Sequence, residues 1–272
     1  MKKQLIALDL DGTLLYDWAT LKKETETYLK SLKEEGHTLV IATGRPYRSA
    51  IGFYDQLELN TPLINYNGGL ITWRDNPDFN EVNITVDYDA VLDIFKNNAE
   101  YIDNAFCEVK DDIYLWRESE EIQDLLHYFN GATLQVGPFE ETLPADQGTN
   151  GFIVVAKHGK GHLIEEYVRR HYPDKVLARN WGDDYQFIIE LYTPLTNKGN
   201  AISHVAKELG FDHENIIAFG DGHNDIEMLQ TAGTGIAMQH SHPELKAVAD
   251  IISPYDNESN AIEYHLKQML KK

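Results

Sequence analysis

Cysteine and long apolar runs are nearly absent from this sequence. Its one cysteine, Cys107, has no partner for an intramolecular disulfide and cannot build a cysteine-rich zinc site. No window approaches the roughly 18 consecutive apolar residues of a membrane-spanning helix. The apolar run that begins at Leu5 ends at Asp9, which is too short for the core of a secretory signal peptide. We therefore expect a cytoplasmic protein.

Positive charge is also scarce. The 272 residues include 24 Lys and Arg against 44 Asp and Glu, a formal net charge of −20. This balance argues against nucleic-acid partners and against anionic membrane surfaces, because both require a basic footprint. A phosphate-bearing ligand would have to be bound by local cations, a metal ion or backbone N–H groups.

Strands and helices alternate at both ends of the chain. Apolar strands at 4–8, 38–42 and 62–65 are separated by helical patterns at 20–35 and 46–57. The same alternation returns from about residue 199, and together the two ends predict a parallel α/β sheet.

The middle of the chain follows another pattern and predicts a separate α+β unit. Its predicted elements include a strand at 83–86, a helix near 120–129 and a hairpin of 176–180 with 185–191. We predict a core domain of residues 1–81 and 193–272 and an inserted domain of residues 82–192.

Polar residues follow three strands of the predicted core. Asp9 and Asp11 follow the first strand, Thr43 follows the second, and Asp221 follows a strand at 215–219. The carboxyl ends of parallel strands meet at one edge of a sheet, where ligands bind. Folding requirements do not explain polar clusters at one edge from segments more than 200 residues apart, so we predict a functional site there.

The first cluster allows two geometries. On an extended segment Asp9 and Asp11 point the same way, whereas a turn at Gly12 would splay them. Two carboxylates on one face need a cation or a proton between them. Taken alone, the pair is equally compatible with a metal site and with an ordinary strand end and turn.

The residue types favour phosphoryl chemistry with Mg²⁺. Asp9, Asp11 and Asp221 offer the hard oxygen ligands that Mg²⁺ prefers. Thr43 and the N–H groups near Gly44 can bind phosphate oxygens, Lys198 can offset the charge of a transferring phosphoryl group, and a carboxylate can serve as nucleophile.

Other metal sites fit the spacing less well. A calcium loop of the EF-hand type needs glycine at its sixth position, where a loop beginning at Asp9 has Leu14. A zinc site built from His223, His240 and His242 is a weaker alternative.

The motifs resemble those of the haloacid dehalogenase superfamily, in particular its Cof-like phosphatases. Asp9-Leu-Asp11-Gly-Thr-Leu-Leu15 is similar to the first motif and Ile41-Ala-Thr43-Gly-Arg45 to the second. Asn197-Lys198-Gly199 is similar to the third, and Gly220-Asp221-Gly-His-Asn224-Asp225 to the fourth. Asn65-Tyr-Asn67-Gly-Gly69 also fits this group. The resemblance spans the chain and implies a Rossmann-like parallel-sheet core with an inserted α+β cap domain.

The resemblance implies a role for each matching residue. Asp9 would be the nucleophile and a Mg²⁺ ligand. Asp11 would act as acid and base and give the metal its backbone carbonyl, and Asp221 would complete the protein ligands. The residues expected to hold or approach the phosphoryl group are Leu10, Thr43, Gly44, Lys198 and Asn224, with Asp225 supporting the metal ligands.

Two residues are left as candidate substrate contacts, Arg45 and Asn67. For Arg45, a contact with phosphate or substrate and a salt bridge at a helix end both remain open. Two segments, 239–243 and 255–261, depart from the usual family sequence outside the four motifs and concern the rim of the site or its contact with the cap.

These observations predict a Mg²⁺-dependent phosphatase that acts on a small phosphorylated metabolite through an aspartyl-phosphate. A phosphomutase with the same intermediate and a non-catalytic phosphometabolite-binding regulator are the alternatives. The substrate stays open among sugar phosphates, polyol phosphates and phosphorylated cofactors. The expected form is a monomer or a small homo-oligomer.

Overall fold

The computed structural model describes residues 2–120, 122, 126, 132–181 and 187–270. The strands are β1 (Leu5–Leu8), β2 (Thr38–Ile41), β3 (Leu63–Asn65), β4 (Leu70–Thr72), β5 (Val82–Asn83), β6 (Ile102–Val109), β7 (Asp112–Leu115), β8 (Leu134–Val136), β9 (Gly151–Ala156), β10 (Leu177–Asn180), β11 (Ile188–Tyr192), β12 (Ile216–Gly220), β13 (Thr234–Ala237) and β14 (Ile251–Ile252). The helices are α1 (Lys23–Glu34), α2 (Tyr47–Gln56), α3 (Tyr88–Asn98), α4 (Phe139–Thr142), α5 (Gly161–His171), α6 (Lys198–Glu208), α7 (Ile226–Thr231), α8 (Pro243–Val248) and α9 (Ala261–Met269).

The chain divides into two compact units. The first comprises Met1–Arg45, Ala50–Val82 and Asn197–Lys272, and the second comprises Pro46–Ser49 and Asn83–Thr196. The second unit is therefore largely an insertion in the sequence of the first. The assignment of catalysis to one unit and of substrate selection to the other stays a prediction.

The first unit contains a five-stranded parallel sheet in the order β14-β13-β12-β1-β2. β1 lies between β12 and β2, and all four of its side chains are fully buried. Such continuous apolar strands are expected where helices cover both faces of a parallel sheet. The predicted parallel α/β core is confirmed, and its interior strand β1 leads directly to Asp9.

The third predicted strand does not continue this sheet as we expected. β3 pairs antiparallel with β4, in a small sheet ordered β3-β4-β5, and reaches the end of β2 only through an isolated bridge between Ala42 and Ile64. No apolar run after residue 69 is long enough to indicate β4, which has three residues. Tyr66, Asn67 and Gly68 all take positive φ angles and reverse the chain between β3 and β4.

The second unit is built on a six-stranded sheet in the order β10-β11-β9-β6-β7-β8. Its neighbouring strands are antiparallel except for the parallel pair β7 and β8. Phe139 and Phe152 are fully buried and pack with α3 and α5 in its core. The predicted α+β unit is confirmed, as is the antiparallel pairing of the hairpin arms at β10 and β11.

Two predicted elements of the second unit differ from the structure or lie mainly outside the described residues. The strand expected at 83–86 is wrong in extent, because the strand is Val82–Asn83 and Val86 makes only an isolated bridge to Thr149. The helix expected near 120–129 falls mainly outside the described residues, as do residues 185 and 186 of the predicted hairpin.

Across the described ranges, no helix combines the length and apolar character needed to cross a bilayer.

Candidate active site

Asp9 leaves the sheet at the carboxyl end of β1. Its N–H donates to the carbonyl of Phe219 on β12 at 3.2 Å, and the residue is only 5% exposed. Gly12 then takes a φ of +71°, a conformation that glycine adopts without steric cost. The N–H of Leu14 donates back to the Asp9 carbonyl at 3.2 Å and closes the turn. Leu10 is buried within this turn.

The carboxylates of Asp9 and Asp11 have different partners. Asp9 Oδ1 lies 2.5 Å from Lys198 Nζ, whereas Asp11 Oδ2 accepts a hydrogen bond from Arg45 Nε at 2.8 Å. Arg45 Nη2 also contacts Asp11 Oδ1. The Asp9 side chain is buried and that of Asp11 is 34% exposed. Of the two geometries compatible with the sequence, the structure therefore shows the splayed one.

Asp221 follows β12 and lies against the turn after β1. Thr13 Oγ1 donates to Asp221 Oδ1 at 2.9 Å. A Cβ atom on Gly12 would lie 2.3 Å from Asp221 Oδ2, so this close approach also requires glycine. His240 Nε2 lies 3.4 Å from the same oxygen, and this contact raises the pKa of His240.

Lys198 joins two buried carboxylates. It begins α6, whose preceding residue Asn197 caps the helix by accepting the N–H of Asn200 at 2.7 Å. Its Nζ lies 2.5 Å from Asp9 and 2.6 Å from Asp225, and its side chain is fully buried. Burial alone would lower the pKa of Lys198, but the charges of Asp225 and Asp9 outweigh burial and raise it. The lysine is therefore held as a cation.

Asp225 holds the backbone of Asp221 in place. Its Oδ2 accepts the N–H groups of Asp221 at 3.0 Å and Gly222 at 2.9 Å, while its Oδ1 binds Lys198. Two donors from the backbone and one from a lysine fix this carboxylate completely within the protein. Asp225 is also fully buried, in keeping with a supporting role.

The carboxylates of Asp9, Asp221 and Asp225 form a potential metal site, with ligand oxygens within 4.8 Å of one another. Burial raises the pKa of Asp9, and the charge of Asp225 raises it further, while Lys198 opposes both. Three carboxylates lie together here and one lysine contacts two of them, Asp9 and Asp225, so a divalent cation would compensate the excess negative charge. Oxygen donors of this kind fit Mg²⁺.

The second motif lies at the end of β2. Thr43 is fully buried, its N–H donates to the carbonyl of Ile64 at 3.0 Å, and its Oγ1 accepts the N–H of Arg45 at 3.1 Å. The Arg45 carbonyl accepts from Asn65 Nδ2 at 3.0 Å. These bonds connect the Thr43–Arg45 turn to the segment after β3.

Asn67 connects the same region to the fourth motif. Its N–H donates to the Thr43 carbonyl at 2.9 Å, and its Oδ1 accepts from Asn224 Nδ2 at 2.8 Å. A Cβ atom on Gly44 would lie 3.2 Å from the same Oδ1. Thr43, Gly44, Asn67 and Asn224 are thus brought together, as the sequence predicted for residues around one site.

Sequence reasoning missed several residues of this site. A cavity of about 370 Å³ is lined by Asp11, Asp221, the loop 16–18 and Asn257. Asn257 and His240 belong to the two segments that depart from the usual family sequence, so those departures do reach the site. No sequence signal pointed to Tyr16 and Trp18, because isolated aromatic residues are ambiguous between core and surface.

The zinc alternative gains no support. His223 Nε2 faces Glu244 at 3.0 Å and its ring meets that of His242 edge-on, whereas His240 faces Asp221. Within the part of the chain that the structure describes, the three aspartates are the one group of potential ligands close enough to hold a metal ion.

Known proteins of similar length match the chain in sequence. A phosphatase of Bacillus subtilis, YitU, named for 5-amino-6-(5-phospho-D-ribitylamino)uracil, is 32% identical, with 98% of this chain and 97% of its own covered. The pyridoxal phosphate phosphatase YbhA of Escherichia coli is 28% identical, with 96% and 97% covered. These relatives are phosphatases, and the expected enzyme class of phosphoric monoester hydrolase is confirmed with them.

Solved structures share the fold. A haloacid dehalogenase-like hydrolase from Bacteroides thetaiotaomicron superimposes with a TM-score of 0.83 at 23% identity, covering 98% of this chain and all of that one. The protein TM0651 from Thermotoga maritima gives 0.84 at 22% identity, covering 98% and 97%. The profile of the haloacid dehalogenase-like hydrolases matches residues 6–266, and the chain belongs to that family.

Proposed function

We propose that this protein is a Mg²⁺-dependent phosphatase that hydrolyses a small phosphorylated metabolite through an aspartyl-phosphate on Asp9. The observation that carries the proposal is the group of Asp9, Asp221 and Asp225, in which Lys198 contacts the buried pair Asp9 and Asp225, with Asp11 held apart by Arg45. Two relatives are named for small phosphorylated compounds, which supports a substrate of that size.

Mg²⁺ would be held by the side chains of Asp9 and Asp221 and by the backbone carbonyl of Asp11. When bound, it would offset the charge of the phosphoryl group and of the carboxylates. Thr13 and Asp225 would keep Asp221 in place, because one bonds its carboxylate and the other its backbone N–H.

The first transfer uses the different environments of the two aspartates. The Asp9 carboxylate attacks phosphorus, the bond from phosphorus to the leaving oxygen breaks, and Asp11 donates a proton to that oxygen. Lys198, Thr43 and the N–H of Gly44 hold the other phosphoryl oxygens, with the N–H of Leu10 and Asn224 nearby. Charge that develops on these oxygens is thereby stabilised at fixed positions.

The second transfer regenerates Asp9. A water molecule attacks the phosphorus of the aspartyl-phosphate while Asp11 accepts its proton, and the bond from phosphorus to the Asp9 oxygen breaks. Arg45 orients Asp11 for both steps, and Asn67 positions Asn224. We assign a contribution to substrate selection to the inserted unit, as the family resemblance implies.

The test is replacement of Asp9 by Asn, with phosphate release from p-nitrophenyl phosphate measured in the presence of Mg²⁺. We expect a loss of about 1,000-fold or more, because an amide is a poor nucleophile. Asp55→Asn is the matched control, since Asp55 lies on the surface in a pair with Arg74. If Asp9→Asn retained activity within about tenfold of the wild type, Asp9 would not be the nucleophile.

Product analysis separates this proposal from its alternatives. A phosphomutase would return the phosphoryl group to a sugar and yield an isomer with little free phosphate. A binding regulator would release no phosphate with any metal ion. We expect free phosphate in amounts equal to the alcohol formed, because the phosphoryl group on Asp9 is transferred to water.

A further inference from the structure

The loop that follows the first motif presents an exposed tryptophan beside the catalytic aspartates. Trp18 is 71% exposed, more than any other large apolar side chain among the residues that the structure describes. A single exposed apolar side chain is common on protein surfaces, so what distinguishes Trp18 is its position. Trp18 lines the same cavity as Asp11 and Asp221.

The loop is held in a defined conformation. The N–H of Tyr16 donates to the carbonyl of Thr20 at 2.8 Å and closes the loop at its base. Asp17 accepts the N–H of Ala19 at 2.8 Å and the hydroxyl of Thr20 at 3.1 Å. These bonds fix the backbone on both sides of Trp18, so little conformational entropy of the backbone would be lost on binding a ligand there.

The same loop is tied to the reacting groups. Arg45 Nη2 donates to the carbonyl of Trp18 at 2.7 Å, while Nε of the same guanidinium binds Asp11 at 2.8 Å. Asn257 Nδ2 donates to the carbonyl of Leu15 at 2.7 Å, just before the loop. The Arg45 side chain therefore holds the backbone of Trp18 at a defined position relative to the carboxylate of Asp11.

The cavity is large enough for a ring as well as a phosphate. Its volume is about 370 Å³, and a cavity of about 150 Å³ holds benzene. Tyr16 also lines it, but Lys22 Nζ lies over the Tyr16 ring at 4.7 Å and covers one face. Of the two aromatic residues, Trp18 is the more exposed.

We propose that Trp18 is a specificity-determining residue, a stacking surface that selects phosphate esters whose alcohol carries a planar unsaturated ring. Aromatic side chains stack on planar rings of many kinds because every such ring offers a π face. A leaving group seated on Trp18 would lie in the cavity that Asp11 also lines, where its oxygen can receive a proton. The inference rests on the proposed phosphatase activity and deepens it by naming a substrate class.

A pair of esters matched in size tests this selection. Benzyl phosphate and cyclohexylmethyl phosphate both release a primary alcohol and differ in whether the six-membered ring is planar. We expect wild-type kcat/KM to favour benzyl phosphate by about tenfold, which corresponds to about 1.4 kcal/mol of stacking. In Trp18→Ala the ratio should fall toward one through a higher KM for benzyl phosphate, and Trp18→Phe should keep most of the preference.

The control is Ile252→Ala, which removes an exposed apolar side chain of the same unit that does not line this cavity. It should leave the ratio unchanged. A ratio unaltered in Trp18→Ala, or an equal loss for both esters, would overturn the assignment.

Calorimetry with Asp9→Asn protein separates this inference from the proposed function. Benzyl phosphate should bind about tenfold more weakly when Trp18→Ala is added, and cyclohexylmethyl phosphate should weaken much less. If wild-type protein released phosphate neither from these esters nor from p-nitrophenyl phosphate, the phosphatase proposal would fail. The difference in binding would then still support a ring-stacking role for Trp18, and equal binding would refute it.

Discussion

Arg45 holds Asp11 through two nitrogens of its guanidinium. Nε lies 2.8 Å from Oδ2, and Nη2 contacts Oδ1. A planar fork that meets a carboxylate in this way fixes its orientation as well as its position, which a lysine cannot do. The structure therefore favours the ion pair among the roles open to Arg45, and the pair joins two motifs rather than capping a helix.

Replacement of Arg45 should impair catalysis through Asp11. Arg45→Lys keeps the charge but loses the fork, and we expect kcat to fall about 100-fold, because small displacements of a reacting group cost that much. Steady-state kinetics would measure the loss, and acid quenching would measure any rise in phosphorylated enzyme. Arg74→Lys, in a surface pair with Asp55, is the control. Wild-type kcat in Arg45→Lys would show that the fork does not position Asp11.

Gly12 should be intolerant of a single added methyl group. A Cβ there would lie 2.3 Å from Asp221 Oδ2, so the carboxylate would have to move, and we expect Gly12→Ala to lose at least about 100-fold in kcat/KM. Gly210 is a matched control, because it has a similar φ of +74° and nothing within 4 Å of its added Cβ. Gly210→Ala should cost about 1–2 kcal/mol of stability through backbone strain and leave activity intact.

The result for Gly12 is informative only in comparison with this control. Both variants carry the strain of a positive φ, and only one of them displaces Asp221. Equal activities of the two variants would mean that the position of Asp221 is not important. Thermal unfolding of both proteins would confirm that their folded fractions are the same in the assay.

The sequence predicted that these polar residues would share one edge of the sheet, because each signal is local. Asp9 and Asp221 directly follow β1 and β12, Thr43 lies two residues after β2, and β1 lies between β2 and β12 in the sheet. Once the strands are identified as parallel, their carboxyl ends must share an edge. The order of the strands was not needed for this inference.

What the sequence did not predict depends on the path of the chain between elements. The pair of Arg45 with Asp11 and the contact of His240 with Asp221 are set by loops, in which spacing does not fix direction. The strand β4 was missed for a related reason. Asn67-Gly68 is a local turn signal, and Tyr66 and Asn67 do adopt positive φ angles, but the signal does not say that the chain returns as an antiparallel strand of three residues.

Lys198 should be essential to both stability and activity. Lys198→Met would leave Asp9 and Asp225 buried without their cation, and we expect a loss of about 3–5 kcal/mol in the free energy of unfolding. Adding Asp225→Asn should recover part of the stability, since one buried charge is then removed, but not the activity. Urea unfolding and phosphate release would measure the two effects.

Comparison of the Lys198→Met and Asp225→Asn double variant with its single variants tests whether these two side chains are energetically coupled. Lys207→Met, an exposed position on the same helix, should change stability by less than about 0.5 kcal/mol. If Lys198→Met and Asp225→Asn destabilised the protein additively, the two side chains would not be coupled, and the contact at 2.6 Å would not contribute to stability.

Lowering the pH should reduce the free energy of unfolding through Glu26, which lies on α1. Its carboxylate is buried and binds Lys23 at 2.8 Å, Gln56 at 2.9 Å and Lys30 at 3.1 Å, and these bonds, led by that of Lys23, lower the pKa of Glu26 to about 2. A carboxyl whose pKa is lowered on folding stabilises the protein above its unfolded value of 4.5, and this stabilisation is lost as the pH falls from there toward 2.

We therefore expect Glu26→Gln to cost about 1 kcal/mol of unfolding free energy at neutral pH. This difference from the wild type should shrink as the pH falls below about 4.5, because the wild-type carboxylate is then gradually losing its advantage. Urea midpoints at about pH 7 and about pH 4 would measure it. Glu34→Gln, exposed on the same helix, is the control. A gap between Glu26→Gln and the wild type that widened in acid would contradict the sign of the pKa shift, and with it the role of the Lys23, Gln56 and Lys30 contacts in holding the charged form.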